Sequence, residues 1–265
     1  MGISVSGISF SYPKGPPVLS NISFEIENGH FVCLLGPNGV GKSTLFKCML
    51  GLLRGYDGAI KIDGQDIVAL PPKQLSRRIA YIPQTSQYVF NYSVSDVVLM
   101  GTTALTDGLS SPGKRELALA EESLDRLGIA ALRHRMFQQL SGGERQLALI
   151  ARALAQQARI LFMDEPTSNL DYGNQIRVLE QIRQLSGDGY TVVQSTHNPD
   201  QAFLFADEVL AIMDGTVCAY GPPNEVVTQE LVEKLYNVSV SVESLFDDSI
   251  RICVPRDAIK TKVHI

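Results

Sequence analysis

Short apolar segments separated by polar turns dominate the chain. Near its amino end, apolar and polar residues alternate, as they do in strands with one buried and one solvated face. The apolar members of this pattern are Ile22, Phe24, Ile26, Ile60 and Ile62. The alternation predicts half-buried antiparallel strands in an amino-terminal β layer. Ile3, Val5 and Ile8 are assigned to an edge strand of that layer.

Four later segments are apolar without interruption. They cover residues 31–35, 160–163, 191–193 and 209–213. Short continuous runs of this kind are typical of strands covered on both faces, which occur mostly in parallel sheets. We therefore expect a mostly parallel central sheet.

Between Gln84 and Ala158 the apolar residues recur every three or four positions, which is the period of a helix. The clearest example comprises Leu117, Ala120, Leu124 and Leu127. Gly128 follows as a suitable helix stop. This pattern predicts a helical lobe inserted into the sheet domain.

The expected organisation is a single domain over residues 1–265. Its parts are a sheet core (1–84 and 158–221), an inserted helical lobe (85–157) and a carboxy-terminal tail (222–265). In the tail we predict a short helix over residues 224–236 and an edge strand at Val238, Val240 and Val242. The composition of residues 105–113, rich in Thr, Ser, Gly and Asp, predicts a mobile loop.

Charge and hydropathy exclude several functional classes. The 28 acidic residues outnumber the 23 basic ones, and no Lys/Arg run could follow a phosphodiester backbone, so nucleic acid is not an expected partner. Every apolar run ends well before the roughly 20 residues of a transmembrane helix, so a membrane role should be peripheral. The four cysteines lack metal-binding spacing, and no zinc site is expected.

A glycine-rich segment over residues 36–44 links the apolar run 31–35 to a helical pattern over residues 45–53. It has the spacing G-x-x-x-x-G-K-S of a P-loop, in which glycines let backbone N–H groups converge on phosphate oxygens. Lys42 should reach the β- and γ-phosphates, and Ser43 offers a hydroxyl to Mg²⁺. The predicted ATP-binding residues of this segment are Gly36, Asn38, Gly39, Gly41, Lys42, Ser43 and Thr44.

Two carboxylates end the apolar run 160–163. Asp164 can hold Mg²⁺ through water, and Glu165 can act as general base or orient the water that attacks the γ-phosphate. Each pattern alone has a simpler explanation, namely a glycine-rich turn and a solvated strand end. Together they predict the α/β fold of the P-loop NTPases, with a RecA-like core.

Residues 140–146, Leu-Ser-Gly-Gly-Glu-Arg-Gln, resemble the LSGGQ signature of ABC ATPases, with Glu144 where glutamine is commonest. In isolation, Ser141 would be an ordinary cap of a helix over residues 146–154. The resemblance implies instead that Ser141, Gly142 and Gly143 bind the γ-phosphate held by a second copy of the chain. It therefore implies a dimer that sandwiches two ATP molecules.

The resemblance to ABC ATPases extends over roughly residues 3–221 and assigns four more positions. It implies that Tyr12 stacks on adenine and that Gln84 meets Mg²⁺ and the attacking water. Asp171 would make a dimer contact, and His197 would sense the γ-phosphate. Taken alone, Tyr12 would be turn packing and Asp171 a helix cap. The other histidines are expected at the surface: His30, His134 and His264.

The segments 77–84, 93–101, 171–175 and 197–202 resemble the ATPases that import iron-siderophore complexes, haem or cobalamin. Importers of molybdate or tungstate, and of zinc or manganese, are the alternative within the family. A non-transport ABC ATPase and a P-loop kinase or GTPase are the alternatives from other classes; the former would need a long insertion or a basic surface, which the sequence lacks.

The resemblance also implies partners and a location. Such subunits act as peripheral proteins on the cytoplasmic face of the cell membrane, use ATP and Mg²⁺, and bind transmembrane permease subunits. An extracellular or periplasmic substrate-binding protein would be an indirect partner. Residues 88–90, Tyr-Val-Phe, would help to form the groove for the permease's coupling helix, with packing inside the helical lobe as the alternative.

Overall fold

The computed structural model describes residues 2–84, 91–106, 112–248 and 250–256. Its strands are β1 (Ile3–Ser11), β2 (Pro17–Ile26), β3 (Phe31–Leu35), β4 (Asp57–Ile62), β5 (Gln65–Asp66), β6 (Ile79–Ile82), β7 (Ile160–Asp164), β8 (Thr191–Thr196), β9 (Glu208–Met213), β10 (Thr216–Gly221), β11 (Val240–Leu245) and β12 (Ile250–Pro255). Its α-helices are α1 (Lys42–Met49), α2 (Pro72–Ser76), α3 (Val94–Leu99), α4 (Lys114–Arg126), α5 (Gly142–Ala155), α6 (Tyr172–Gly187), α7 (Pro199–Phe205), α8 (Pro223–Val226) and α9 (Gln229–Tyr236). Short 3-10 turns cover Ile67–Ala69, Met100–Ala104, Ala130–Leu132 and Phe137–Gln139.

The amino-terminal layer is an antiparallel sheet in the order β2-β1-β4-β5. Its alternating apolar residues are buried, as predicted. The prediction that Ile3, Val5 and Ile8 form an edge strand is wrong, because β1 pairs with β2 on one side and β4 on the other. Alternation reports which face of a strand is buried, and it cannot report how many neighbours the strand has.

The central sheet has the order β10-β9-β3-β8-β7-β6. The strands from β9 to β6 are parallel, as predicted, and β10 adds an antiparallel edge. Every residue of β3, β7 and β8 is buried, which explains their uninterrupted apolar runs. The sequence analysis did not predict β6, which has only four residues, or the half-buried edge strand β10.

Consecutive residues of β3 point into two separate apolar clusters. Phe31, Cys33 and Leu35 join the cluster that contains α5, whereas Val32 and Leu34 join the one that contains α1 and the amino-terminal layer. In the second cluster the rings of Phe46 and Phe162 lie 5.2 Å apart. Such a pair contributes about 1 kcal/mol beyond its buried area. The central sheet is thus fixed from both faces.

The described elements between β6 and β7 are helical. Helix α4 ends beside Gly128, whose φ of 68° makes it the predicted stop. The helix after the glycine-rich segment is shorter than predicted, because Gly51 turns the chain with a φ of 67° and leaves Leu52 66% exposed. The predictions for the mobile loop and for the permease groove fall largely on residues 107–111 and 88–90, which lie outside the described residues.

The predicted tail helix is in fact two helices, α8 and α9. The break occurs because Thr228 caps α9, with its Oγ1 accepting the Leu231 N–H at 3.2 Å. Val240 and Val242 lie in β11, which pairs with β12, whereas Val238 precedes the strand and is exposed. In the part of the chain that the structure describes, no helix has the length and hydrophobicity to cross a membrane.

The predicted surface histidines differ in their surroundings. His134 is exposed. His30 is only partly exposed, and its Nδ1 lies 3.3 Å from Glu208 Oε2. His264 lies outside the described residues.

Candidate active site at the carboxyl ends of the parallel strands

The glycine-rich loop connects β3 to α1 at the carboxyl edge of the sheet. Gly36 has a φ of 159°, and a Cβ there would come within 2.5 Å of the Ile212 carbonyl oxygen. Gly41 has a φ of 109°, and its Cβ would lie 3.1 Å from the Val18 carbonyl oxygen. Both positions therefore require glycine. Because α1 begins at Lys42, the unpaired N–H groups of its first turn lie at this loop and favour an anion.

Lys42 is buried, and carbonyl groups of its own loop hold its ammonium group. Nζ donates hydrogen bonds to Gly36 O at 2.5 Å and to Pro37 O at 3.0 Å, and it lies 3.9 Å from Glu165 Oε1. Burial lowers the pKa of Lys42, and the negative charges of Glu165 and Asp164 oppose that lowering. The cation is thus placed beside the space that the loop encloses.

Asp164 ends β7 and accepts hydrogen bonds from three neighbouring elements. Ser43 Oγ donates to its Oδ2 at 2.9 Å, and Ser195 Oγ donates to its Oδ1 at 2.6 Å. Tyr81 OH donates to Oδ2 at 3.4 Å, and burial together with the Asp164 charge raises the pKa of Tyr81 to about 12. These contacts fix a nearly buried carboxylate next to the first turn of α1.

Glu165 follows β7 with a φ of 45°, so the chain turns sharply at this residue. Its backbone N–H donates to Ser195 Oγ at 2.9 Å. Its carboxylate accepts Gln84 Nε2–H at 3.0 Å and lies 3.4 Å from His197 Nδ1. Gln84 and His197 thus both contact Glu165, and all three residues are predicted to be catalytic.

A pocket of about 440 Å³ lies in front of these groups. It brings together most of the predicted binding and catalytic residues, namely Tyr12, Asn38, Gly39, Gly41, Lys42, Ser43, Thr44, Gln84, Asp164 and Glu165. Tyr12 is 40% exposed, packs edge-on against Phe10 and places its hydroxyl 3.3 Å from Thr44 Oγ1. A ring at the rim of a pocket that the glycine-rich loop lines suits a nucleotide base.

The signature residues lie apart from this pocket. Ser141 caps α5: its Oγ accepts the Glu144 N–H at 3.3 Å, and its own N–H donates to Glu144 Oε2 at 2.8 Å. These hydrogen bonds lower the pKa of Glu144. Among the described residues that line the pocket, none comes from 141–143. Within one chain, therefore, Ser141 has the simpler role of a helix cap.

Asp171 is likewise a helix cap within the single chain. Its Oδ1 accepts the Asn174 N–H at 2.9 Å, and its Oδ2 accepts Asn174 Nδ2–H at 2.7 Å. These bonds lower the pKa of Asp171. Asn174 also packs on Gly143, where a Cβ would lie 2.5 Å from Asn174 Oδ1. The signature segment and the start of α6 therefore pack closely against each other.

Comparison with known proteins agrees with this geometry. A family model described as "ABC transporter" matches residues 19–168, which include the glycine-rich loop, the signature segment and the end of β7. The chain belongs to the ABC transporter family. Members of the ABC family bind ATP and hydrolyse it to power transport, so the predicted ATPase activity and ATP binding are confirmed.

Similar ABC proteins come from diverse organisms. An uncharacterized ABC transporter ATP-binding protein of Haemophilus influenzae is 42% identical over 90% of this chain and 90% of that protein. The cobalamin import ATP-binding protein BtuD of Halobacterium salinarum is 37% identical over 91% of this chain, which spans 60% of that protein. The manganese transport system ATP-binding protein MntA of Synechocystis is 33% identical over 94% of this chain and 96% of that protein.

One solved structure extends the likeness to the whole fold. It is described as a metal-chelate type ABC transporter in an inward-facing conformation, and it matches with a TM-score of 0.85, 32% identity and 96% coverage of each chain. This confirms the predicted fold class, a P-loop ATPase core with a mostly parallel sheet, an amino-terminal antiparallel layer and an inserted helical subdomain.

The sequence analysis of this ABC ATPase did not identify Ser195 or Tyr81 as site residues. Both donate to Asp164, and Ser195 also accepts the Glu165 N–H. Each lies at the end of a parallel strand, two or three positions before His197 or Gln84. Position at a strand end was therefore a usable signal.

Proposed function

We propose that this chain is the ATPase subunit of an importer for a metal chelate, haem or cobalamin. The observation that carries the proposal is the match over 96% of both chains to a metal-chelate type ABC transporter. The cobalamin import relative supports it further. The manganese transport relative favours a second candidate, import of zinc or manganese, and molybdate or tungstate import is the remaining alternative.

The site fits a nucleotide with Mg²⁺. We propose that Ser43, Gln84 and Asp164 hold the metal, since a hydroxyl, an amide and a carboxylate supply the oxygen ligands that Mg²⁺ prefers. Ser43 Oγ and Asp164 Oδ2 are already 2.9 Å apart. Mg²⁺ bound there would offset charge on the β- and γ-phosphates.

The loop would bind the phosphates through its backbone, and Tyr12 would stack on the adenine. Lys42 Nζ would exchange its present acceptors, Gly36 O and Pro37 O, for phosphate oxygens. The other proposed ATP contacts are Asn38, Gly39, Gly41, Ser43 and Thr44.

We assign the activation of water to Glu165. Its carboxylate would accept a proton from the attacking water or orient that water towards the γ-phosphate. Gln84 and His197 approach the two carboxylate oxygens at 3.0 and 3.4 Å, so they restrict its orientation. His197 is half exposed, which suits a group that also reaches the γ-phosphate.

The signature residues would act on the ATP bound by a second copy of the chain. Ser141, Gly142 and Gly143 lie at the start of α5, where the helix favours an anion. In the single chain, Glu144 already accepts the Ser141 N–H, so the N–H groups of Gly142 and Gly143 are the natural donors to a phosphate. Asp171 would contribute to the same dimer contact.

This function requires partners. We propose transmembrane permease subunits as direct partners at the cytoplasmic face of the membrane, and an extracellular or periplasmic binding protein as an indirect one. We propose that residues 1–84 and 158–221 form the nucleotide-binding core and that residues 85–157 form the inserted helical lobe. Residues 222–265 form the tail.

Affinity purification of the chain from native membranes, followed by mass spectrometry, tests the proposal. A permease with many membrane spans and a binding protein for a metal chelate should copurify. Uptake into vesicles should then discriminate between iron complexes, haem or cobalamin and the free ions Mn²⁺, Zn²⁺ and molybdate. Recovery with DNA or soluble proteins alone would contradict the transport assignment.

A further inference from the structure

A buried polar network lies directly behind the candidate active site, and Gln201 is its centre. Gln201 Oε1 accepts hydrogen bonds from Thr196 Oγ1 at 2.9 Å and from Gln194 Nε2 at 3.2 Å. Gln201 Nε2 donates to Thr167 Oγ1 at 3.1 Å. These four side chains are at most 8% exposed. One amide thus bridges β8, α7 and the turn that follows Glu165.

The residues at the two ends of this bridge adjoin the proposed catalytic groups. Thr196 directly precedes His197, and its Oγ1 accepts the Asn198 N–H at 3.1 Å, so it fixes the turn around the histidine. Thr167 lies two positions after Glu165. His197 Nδ1 and Glu165 Oε1 are 3.4 Å apart. Gln201 therefore ties together the two chain segments whose relative position sets that distance.

A buried amide is a costly way to pack a helix on a sheet. Unless it is hydrogen-bonded, its burial carries a desolvation penalty, whereas an apolar side chain of similar size would pack without that penalty. An amide that both donates and accepts has a fixed orientation, and it passes this constraint to its partners. The network therefore specifies geometry more than it adds stability.

We infer that Gln201 is a positioning residue for ATP hydrolysis, which holds the His197 turn and the Glu165 turn in a fixed relative position by bridging Thr196 and Thr167. The inference rests on the proposed roles of Glu165 and His197. Gln201 is not among the described residues that line the nucleotide pocket. Its loss should therefore lower kcat and leave the affinity for ATP unchanged.

Gln201→Met is the first test, because methionine has a similar length and makes none of these hydrogen bonds. In the purified full chain we expect kcat to fall about tenfold, and KM and the affinity for a fluorescent ATP analogue to stay within about twofold. Thr167→Val, which removes a single bond of the bridge, should lower kcat by a smaller factor. The double variant should lower kcat by no larger a factor than Gln201→Met alone, because both changes break the same bridge.

Ser186→Ala is the matched control. Ser186 is also buried, and its Oγ donates to Gly29 O at 2.8 Å beside the amino end of β3, far from the nucleotide pocket. This variant loses a buried hydrogen bond of the same kind, and its kcat should stay at the wild-type value. A loss of kcat in Ser186→Ala as large as that in Gln201→Met would overturn the inference.

Two reference variants separate this inference from the proposed function. If Glu165→Gln and His197→Ala keep the wild-type rate, the proposed catalytic roles are wrong and the inference falls with them. If both lose activity while Gln201→Met and Thr167→Val keep kcat within about twofold, only the inference about Gln201 is overturned. If Gln201→Met does not fold, Thr167→Val decides by the same criterion.

Discussion

Gln84 donates its amide Nε2–H to Glu165 Oε2 across 3.0 Å, although 81 positions separate the two residues in the chain. The contact exists because Gln84 follows β6 and Glu165 follows β7, and these strands are parallel neighbours in the central sheet. The same amide lies 3.4 Å from Ser168 Oγ. Gln84 also stands where the chain leaves the sheet for the helical segment. It therefore links that segment directly to the proposed general base.

Replacing Glu165 by glutamine should remove the proposed general base while keeping the shape of the side chain. We expect kcat to fall about 100-fold or more, because general-base catalysis contributes factors of this size, while ATP still binds. Steady-state ATPase rates and nucleotide retention measure the two effects. Glu180→Gln, at an exposed position of α6, is the matched control. A wild-type rate in Glu165→Gln would remove Glu165 from its assigned role.

Asp164→Asn should weaken the proposed Mg²⁺ site. We expect the Mg²⁺ concentration for half-maximal ATPase activity to rise about tenfold or more, because the carboxylate charge next to Ser43 is lost. Chelation of Mg²⁺ should abolish the wild-type activity. Asp207→Asn is the control, since Asp207 accepts the Phe31 N–H at the opposite end of the sheet. An unchanged Mg²⁺ dependence in Asp164→Asn would contradict the site.

Glu144 should contribute stability that depends on pH. Hydrogen bonds from Ser141 lower its pKa from the ordinary value of 4.5, so its contribution is fully present above that value and is lost as the pH falls through the lowered pKa. Glu144→Ala should cost about 0.5 kcal/mol of unfolding free energy at pH 7, and less as the medium is acidified. Urea unfolding of both proteins over a pH series measures this difference. A difference that stays constant down to acid pH would refute the charged cap.

The carboxy-terminal hairpin should depend on Asp200. The Cys253 N–H donates to Asp200 Oδ1 at 2.8 Å, which joins β12 to the first turn of α7. Asp200→Ala should lower the free energy of unfolding by about 1 kcal/mol, and it should speed amide hydrogen exchange in β11 and β12, because the hairpin loses this hydrogen bond. Asp200→Asn keeps an acceptor oxygen and should protect the hairpin nearly as well as the wild type. Equal exchange rates in all three proteins would show that the anchor is unimportant.

Much of the fold could be predicted because its causes are local. The glycine-rich loop is continuous in sequence, so its place between β3 and a following helix, and the need for glycine at Gly36 and Gly41, could be predicted from spacing alone. The buried strands β3, β7 and β8 produced uninterrupted apolar runs. Features whose local sequence signals are weak or ambiguous were harder to predict. The four-residue strand β6 was not predicted, and β1 was taken for an edge strand.

The sequence by itself determined which chemical groups this ABC ATPase has. It also placed the glycine-rich loop, Asp164 and the signature segment at the end of a strand or the start of a helix, because those features depend on neighbours along the chain. Only the tertiary structure decided which groups meet. Asp164 joins Ser43 and Ser195, and Gln201 joins Thr167 and Thr196, through contacts between residues 5 to 121 positions apart. Such contacts follow from the order of strands in the sheet and from the packing of α7 on it. Neither is encoded in the period of any single segment.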